Sequence, residues 1–482
     1  MKPYLLLLTL LAGTTLVHAG DPALTIYNQN FAVVRDTVPL DLKNGVNDVS
    51  FADTTAHLEP DSVILRDPSG KLNLQILEQN YRNDPVSQEL LLSLFEGKTI
   101  DFLVKEWDKP NRTIQGKIIR SGYAPRSQGA QQPMVEVDGK VQFGLPGQPI
   151  FPSLGDDTIL KPTLNWKINA DAPGKLDAEL AYVTGGMTWQ ADYNIIAPED
   201  SDVLDVIGWI TMDNQSGKNF TNATIKLMAG DVNKIQNQDQ MAQAQQQMVT
   251  RALSLPAPNI TEKAFDEYHL YTLSRATTLR DGETKQVEFI RASGVKSEKI
   301  YVYDGLDIDW NNYGGWNMQN IRTNEEFGTQ SDTKVAVMRE FKNSEANHLG
   351  MPLPKGRVRF YKRDGNQLEF TGENIIGHTP QDELIKIYTG NAFDLVGERK
   401  RTNFRVDNSN SWADESFQIT LRNHKKEQVE IRVVEHLYRW TNWDITAKSD
   451  PFLKTNAQEV EYRVQLKPGE EKTLTYTVHY SW

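Results

Sequence analysis

Ala181-Tyr-Val-Thr-Gly-Gly-Met-Thr-Trp-Gln-Ala-Asp-Tyr-Asn-Ile-Ile-Ala197 is the stretch whose reading decides the fold. Met187, Trp189, Ala191, Tyr193, Ile195 and Ala197 alternate in it with Thr188, Gln190, Asp192 and Asn194, the period of a half-buried β-strand. The Gly185-Gly186 pair permits the positive φ of a tight turn, which predicts that Leu180, Tyr182 and Thr184 lie on a strand paired with this one. A third strand is expected over 204–212, followed by the polar turn Asp213-Asn-Gln-Ser-Gly217. In a fourth, Ala223, Ile225 and Leu227 alternate with Asn222, Thr224 and Lys226. Four strands in succession predict a meander. No acid–base or metal constellation appears in them.

Outward from this core the pattern stays β. On the N-terminal side short strands and turns over 20–85 predict a small β domain, with Asp67-Pro-Ser-Gly70 as a turn. Leu90, Leu91, Leu94 and Phe95 fall at near-helical spacing. Past them, short strands and the hairpin signal Asp138-Gly139 predict a small β-barrel-like domain over 86–150. The central β-sheet domain is expected over 155–233, a Gln-rich loop or helix over 234–262, and a continuation of the central domain over 263–405. That continuation carries an aromatic loop at 303–318. A C-terminal β-sandwich is expected over 406–482, where Phe417, Ile419 and Leu421 alternate with Gln418, Thr420 and Arg422 and several like strands follow. The expected class is mainly β and multidomain: stacked β-sandwich or immunoglobulin-like modules with a small β-barrel-like insert near the N-terminus.

Composition narrows the compartment and the partners. Lys2, the apolar run from Tyr4 to Ala12 and the small-residue pattern Val17-His18-Ala19 predict a signal peptide over 1–19, hence a periplasmic or extracellular protein. No later segment approaches the roughly 20 apolar residues of a membrane span, so no integral membrane segment is expected after cleavage. With 0 Cys, disulfides, thiolate metal sites and cysteine nucleophiles are excluded. The net charge is −12, and the densest basic cluster is Arg399-Lys400-Arg401, which argues against nucleic acid as a partner. Those three residues read as a solvated strand end.

Candidate chemistry is sparse. None of the histidines forms a His-Glu-x-x-His or close His-x-His pair. His378, between Glu373 and Asp382-Glu383, has carboxylates near in sequence that could orient it as a base, but His378-Thr-Pro-Gln-Asp-Glu383 also reads as a turn. Asp307, Asp309 and Asn311 mimic the first ligands of a calcium loop, yet Asn312 and Met318 stand where such a loop needs Gly and Glu. No catalytic residue, metal site or cofactor is therefore nominated. The aromatic loop offers a contact surface instead: Trp310, Tyr313 and Trp316 among amide and carboxylate neighbours can stack on sugar rings and bond their hydroxyls, or fold back to plug the edge of a sandwich.

Several of these segments resemble a known family. Tyr182 to Tyr193, Trp209 to Gly230, Phe265-Asp-Glu-Tyr-His-Leu-Tyr-Thr-Leu-Ser-Arg275, Leu349-Gly-Met-Pro-Leu-Pro-Lys-Gly-Arg-Val-Arg-Phe-Tyr361, Gly377-His-Thr-Pro380 and Gly390-Asn-Ala-Phe-Asp394 resemble, in order, the secreted bacterial domain of unknown function 4139 family. Some of its members are labelled mucoidy-inhibitor-like, which implies envelope polysaccharide, and no catalytic residues come with the resemblance. The expected function is that of an exported, soluble, envelope-associated binding or scaffolding protein whose partner is an envelope protein or glycan. The alternative is a polysaccharide-directed hydrolase or lyase with carboxylates from separate strands, since two catalytic acids need only lie roughly 5 to 9 Å apart in space.

Overall fold

Alternating apolar positions become strands throughout a computed structural model that describes residues 21–105, 110–123, 131–155, 158–199, 201–230, 232, 234, 260–265, 267–407, 409 and 411–482. The expected signal peptide and nearly all of the Gln-rich segment lie outside these residues. The protein is mainly β, in several separate sheets, as a multidomain β-sandwich protein would be. Its chain divides into two units, and neither is a continuous stretch. One comprises 1–188, 213–226 and 275–284; the other comprises 189–212, 227–274 and 285–482.

In the first unit, Phe31–Leu42 pairs antiparallel with Ala23–Tyr27 on one side and Gly174–Gly185 on the other. Ile64–Arg66 joins the far edge of Gly174–Gly185, and Phe220–Ala229 stands next to Ala23–Tyr27. Thr163–Ala170 forms the centre of a three-stranded sheet between Gly45–Ala52 and Leu74–Arg82. Trp166, buried there, donates its indole N–H to Gln79 Oε1 at 2.8 Å, so the ring is sequestered without orphaning its one donor. The Lys218 ammonium is buried too and sits 2.6 Å from the Asp36 carboxylate.

The segment expected to be barrel-like is an open sheet. Its order is Gln148–Ile150, Thr99–Val104, Arg112–Arg120, Met134–Val137 and Lys140–Phe143, and it does not close. Strands of 3 to 9 residues curl around one small core of Leu92, Phe95, Ile100, Phe102, Ile118 and Val135. That core is filled from one face by the Gln88–Leu94 helix, whose N-cap Ser87 accepts from Leu90 N–H. With a helix covering the apolar face, closure is unnecessary. The Asp138-Gly139 hairpin forms as expected, pairing Val137 with Lys140.

The decisive stretch holds a correction of its own. Met187–Ala197 is a strand, but Gly174–Gly185 pairs with Phe31–Leu42 instead of with it. Met187–Ala197 belongs to a different sheet, between Val203–Asn214 and Gly356–Asp364, and runs parallel to the latter from Ala191↔Gly356 to Ala197↔Lys362. Gly185-Gly186 is thus a corner between sheets and not a hairpin turn. Gly186 has φ +78°, and a Cβ there would stand 2.6 Å from Gln215 O, so only glycine turns the corner.

The second unit also holds a nine-stranded sheet. Leu384–Asp407, a 24-residue strand, organises it by pairing with Lys334–Lys342 up to Val396 and with Trp412–Asn423 from Leu395 onward. Beyond Lys334–Lys342 come Glu298–Asp304, Val429–His436, Glu459–Leu466 and Phe452–Asn456; beyond Trp412–Asn423 come Glu471–Ser481 and Trp443–Lys448. The two ends share one core, in which Ile419, Leu421, Leu474 and Val478 meet Ile431, Val433, Tyr462 and Val464. Each such side chain contributes about 1.5–3 kcal/mol by leaving water.

Candidate functional site

Between the Glu298–Asp304 and Lys334–Lys342 strands the chain makes one long excursion, 305–333, which contains the aromatic loop. Its base is closed by backbone bonds, Asp332 N–H to Gly305 O at 3.1 Å and Asp307 N–H to Gln330 O at 3.2 Å. Asp309 caps the 3₁₀ turn Trp310–Tyr313, its carboxylate accepting from Asn311 N–H at 3.0 Å and from the Asn311 amide at 2.9 Å. Asn317 caps the short helix Met318–Thr323 in a capping box with Asn320. Of the calcium candidates, Asp309 and Asn311 thus bond to each other. Among the described residues no group of three or more His, Asp or Glu is placed to hold a metal ion.

Tyr313 and Trp316 are brought together. Both half-buried, their ring centroids lie 4.8 Å apart edge to face, and both pack on Phe327, at 5.3 and 6.3 Å. Trp310 opens the 3₁₀ turn, and its side chain lies outside what is described. Phe327 is buried, and the guanidinium of Arg439 stands 5.4 Å from its centroid.

Arg439 fixes the excursion. Only 1% exposed, it donates through Nη1 to Ile321 O at 2.6 Å and Asn324 O at 2.9 Å, and through Nη2 to Phe327 O at 3.0 Å and Glu415 Oε1 at 2.8 Å. Three carbonyls of one loop converge on a single cation whose charge is balanced by a buried carboxylate. A second buried arginine assists: Arg399 Nε lies 3.0 Å from both oxygens of Glu435, and its Nη1 reaches Gly328 O at 2.9 Å. Tyr476 also donates to Glu435. Burial alone would lower the Arg399 pKa, but the charge of Glu435 and the bond to it outweigh this and hold the value above the ordinary range. The Tyr476 hydroxyl is pushed well above its usual value, by burial first and by Glu435 second.

Here the basic triplet differs from its reading as a solvated strand end. Arg399 is buried and Arg401 nearly so, while Lys400 between them is exposed. Leu395, Gly397, Arg399 and Arg401 share one face of their strand, so the two arginines are in phase with the core. That phase was the signal available in the sequence. Glu415, in phase with Phe417 and Ile419, and Glu435, in phase with Ile431 and Val433, carried the same signal, whereas the latch residue Arg439 lies beyond its strand and carried none.

Arg401 opens onto the surface. With Thr323, Asn324, Glu325, Glu326 and Thr329 it lines an open depression of about 720 Å³ at the end of the excursion. His378 lies elsewhere, in the turn after Gln367–Ile376, where its Nδ1 accepts from Lys355 N–H at 3.2 Å. That bond uses the lone pair a general base would need at that nitrogen. His436 has two carboxylates about it: its Nε2 stands 2.9 Å from Asp304, its Nδ1 3.6 Å from Glu459, and its ring stacks on Tyr438.

Fold and site together define a protein of separate β-sheets carrying one surface loop that is fixed from within by buried arginines. Residues 178–482 match the sequence model of the family described as "Domain of unknown function (DUF4139)", and the chain belongs to that family. The match takes in every segment on which the resemblance rested. No curated protein matches the chain.

Proposed function

We propose that this chain is an exported, envelope-associated binding or scaffolding protein, and that the 305–333 excursion is its contact surface, with Trp310, Tyr313 and Trp316 meeting an envelope protein or glycan. The observation that carries the reading is the convergence of Ile321, Asn324 and Phe327 carbonyls on buried Arg439. A surface loop needs no such anchor unless its shape matters, and a loop fixed beforehand binds without the cost of ordering it. The signal-peptide pattern over 1–19 supports export. No helix among the described residues is long and apolar enough to cross a membrane.

The test is calorimetric titration of the chain with envelope glycan fragments, alongside crosslinking in the intact envelope. Saturable binding that Trp316→Ala weakens about tenfold or more, in a variant still folded at the assay temperature, is the expected outcome. Binding indifferent to both Trp316→Ala and Tyr313→Ala refutes the assigned surface. Glycan turnover abolished by a single carboxylate-to-amide change supports the hydrolase or lyase reading instead.

A further inference from the structure

Three arginines line the same wall of the second unit, and they are not equally satisfied. Arg439 and Arg399 bond as described to loop carbonyls and buried carboxylates. Arg401, with its side chain only 10% exposed, makes a single hydrogen bond among the described residues, from Nη1 to Glu415 Oε1 at 3.4 Å. That distance is at the outer limit of a hydrogen bond, and the same oxygen already accepts from Arg439 at 2.8 Å. Glu325 stands 4.0 Å from Nη2, too far to bond, on a side chain 76% exposed. A guanidinium has five N–H donors in a planar fork. Most of those of Arg401 are therefore free to bond a ligand, and the residue lies at the wall of the 720 Å³ depression.

We infer that this depression binds a sugar acid, with Arg401 taking its carboxylate and the rim taking its hydroxyls. The inference rests on the glycan reading above and names the class of glycan. A carboxylate matches the guanidinium fork bidentately, where a neutral sugar leaves it unsatisfied. The rim selects further. Thr323 Oγ1 donates to Gln319 O at 2.8 Å and Thr329 Oγ1 to Glu326 O at 2.9 Å, so both hydroxyls present lone pairs outward as acceptors. Glu325 and Glu326, both exposed, are acceptors as well. Such a rim suits ligand hydroxyls, which donate. One carboxylate among several hydroxyls is the chemistry of a uronic acid. The depression is open, so a sugar ring can lie across it with the rest of the glycan in solvent.

The experiment titrates the full mature chain by calorimetry with three probes: a galacturonate trimer, its methyl ester, and a galactose trimer. The acid should bind, and the ester and neutral trimer should bind about 10- to 100-fold more weakly, the equivalent of one charge-assisted contact. Arg401→Gln should lower affinity for the acid by a similar factor and leave the ester unchanged. It leaves Glu415 paired with Arg439, so the core keeps its ion pair. Equal binding of acid and ester by the unaltered protein overturns the inference without needing the variant, as does an Arg401→Gln chain that still prefers the acid. Neutral-trimer binding that Trp316→Ala weakens, with no preference for acid, removes this inference and leaves the glycan reading standing. No binding by any of the three removes both.

Discussion

Replacing Arg439 by Met is the sharpest probe of the latch. The substitution keeps an unbranched apolar stem while removing the cation that holds Glu415 and three loop carbonyls. Glu415 is 4% exposed, and its remaining contact with Arg401, at 3.4 Å, is weak. A buried carboxylate left without its partner costs about 3–5 kcal/mol. The carbonyls add less, because the excursion can lift off and hydrate them, which converts their penalty of about 1–3 kcal/mol each into local opening. The expected signature thus has two parts: denaturant unfolding reports a loss of about 3–5 kcal/mol, and hydrogen exchange shows lost protection in 318–330 well beyond any change in 412–423. Arg439→Met combined with Glu415→Leu should regain about 2 kcal/mol, since no charge is left stranded, while the loop stays unprotected. If Arg439→Met costs less than about 1 kcal/mol and the loop keeps its protection, the latch reasoning is wrong.

Two further outcomes follow from the same core. Burial opposes protonation of His436, but its bond to Asp304 and the charges of Asp304, Glu459 and Glu435 outweigh this and raise its pKa above the ordinary 6.5. The protonated ring therefore stabilises the fold in full below that ordinary value, and the contribution disappears as pH rises through the raised one; unfolding curves of the parent and His436→Asn should converge across that window, and parallel curves would count against the assignment. Gly397→Ala places a Cβ 2.2 Å from the ring of Tyr303, which is fully buried and bonded to Asp332 O; a loss of about 1–3 kcal/mol is expected, partly relieved by adding Tyr303→Leu, and an unchanged melting temperature contradicts the packing.

Faces were legible in the sequence, and partners were not. Alternation placed Trp189, Tyr193, Ile419, Leu421, Ile431 and Val433 in the interior correctly, because period 2 is a property of the strand alone. It could not tell that Met187–Ala197 lies beside Gly356–Asp364, more than 150 residues on, since register and neighbour are fixed by packing that no local window contains. The aromatic loop was legible by composition. What organises it was not: Phe327 lies beyond the window in which the aromatics cluster, and Arg439 is reached only through tertiary structure. The basic triplet was misjudged by counting charges without asking their phase, which puts Arg399 and Arg401 on the side of Leu395. As for the barrel, short strands in succession are equally compatible with closure or with a helix lid, and the Gln88–Leu94 helix decides between them.

The interleaving of the two units constrains how the chain can be made. Residues 1–188 hold most of the first unit, yet 213–226 and 275–284 complete it. In a nascent chain emerging N-terminus first, Ala23–Tyr27 can pair at once with Phe31–Leu42, while its other edge waits for Phe220–Ala229. Until then that edge is an open template for pairing with another chain. Vectorial folding, one domain finished before the next begins, is closed to this architecture. The first unit cannot be completed until residue 284 has emerged.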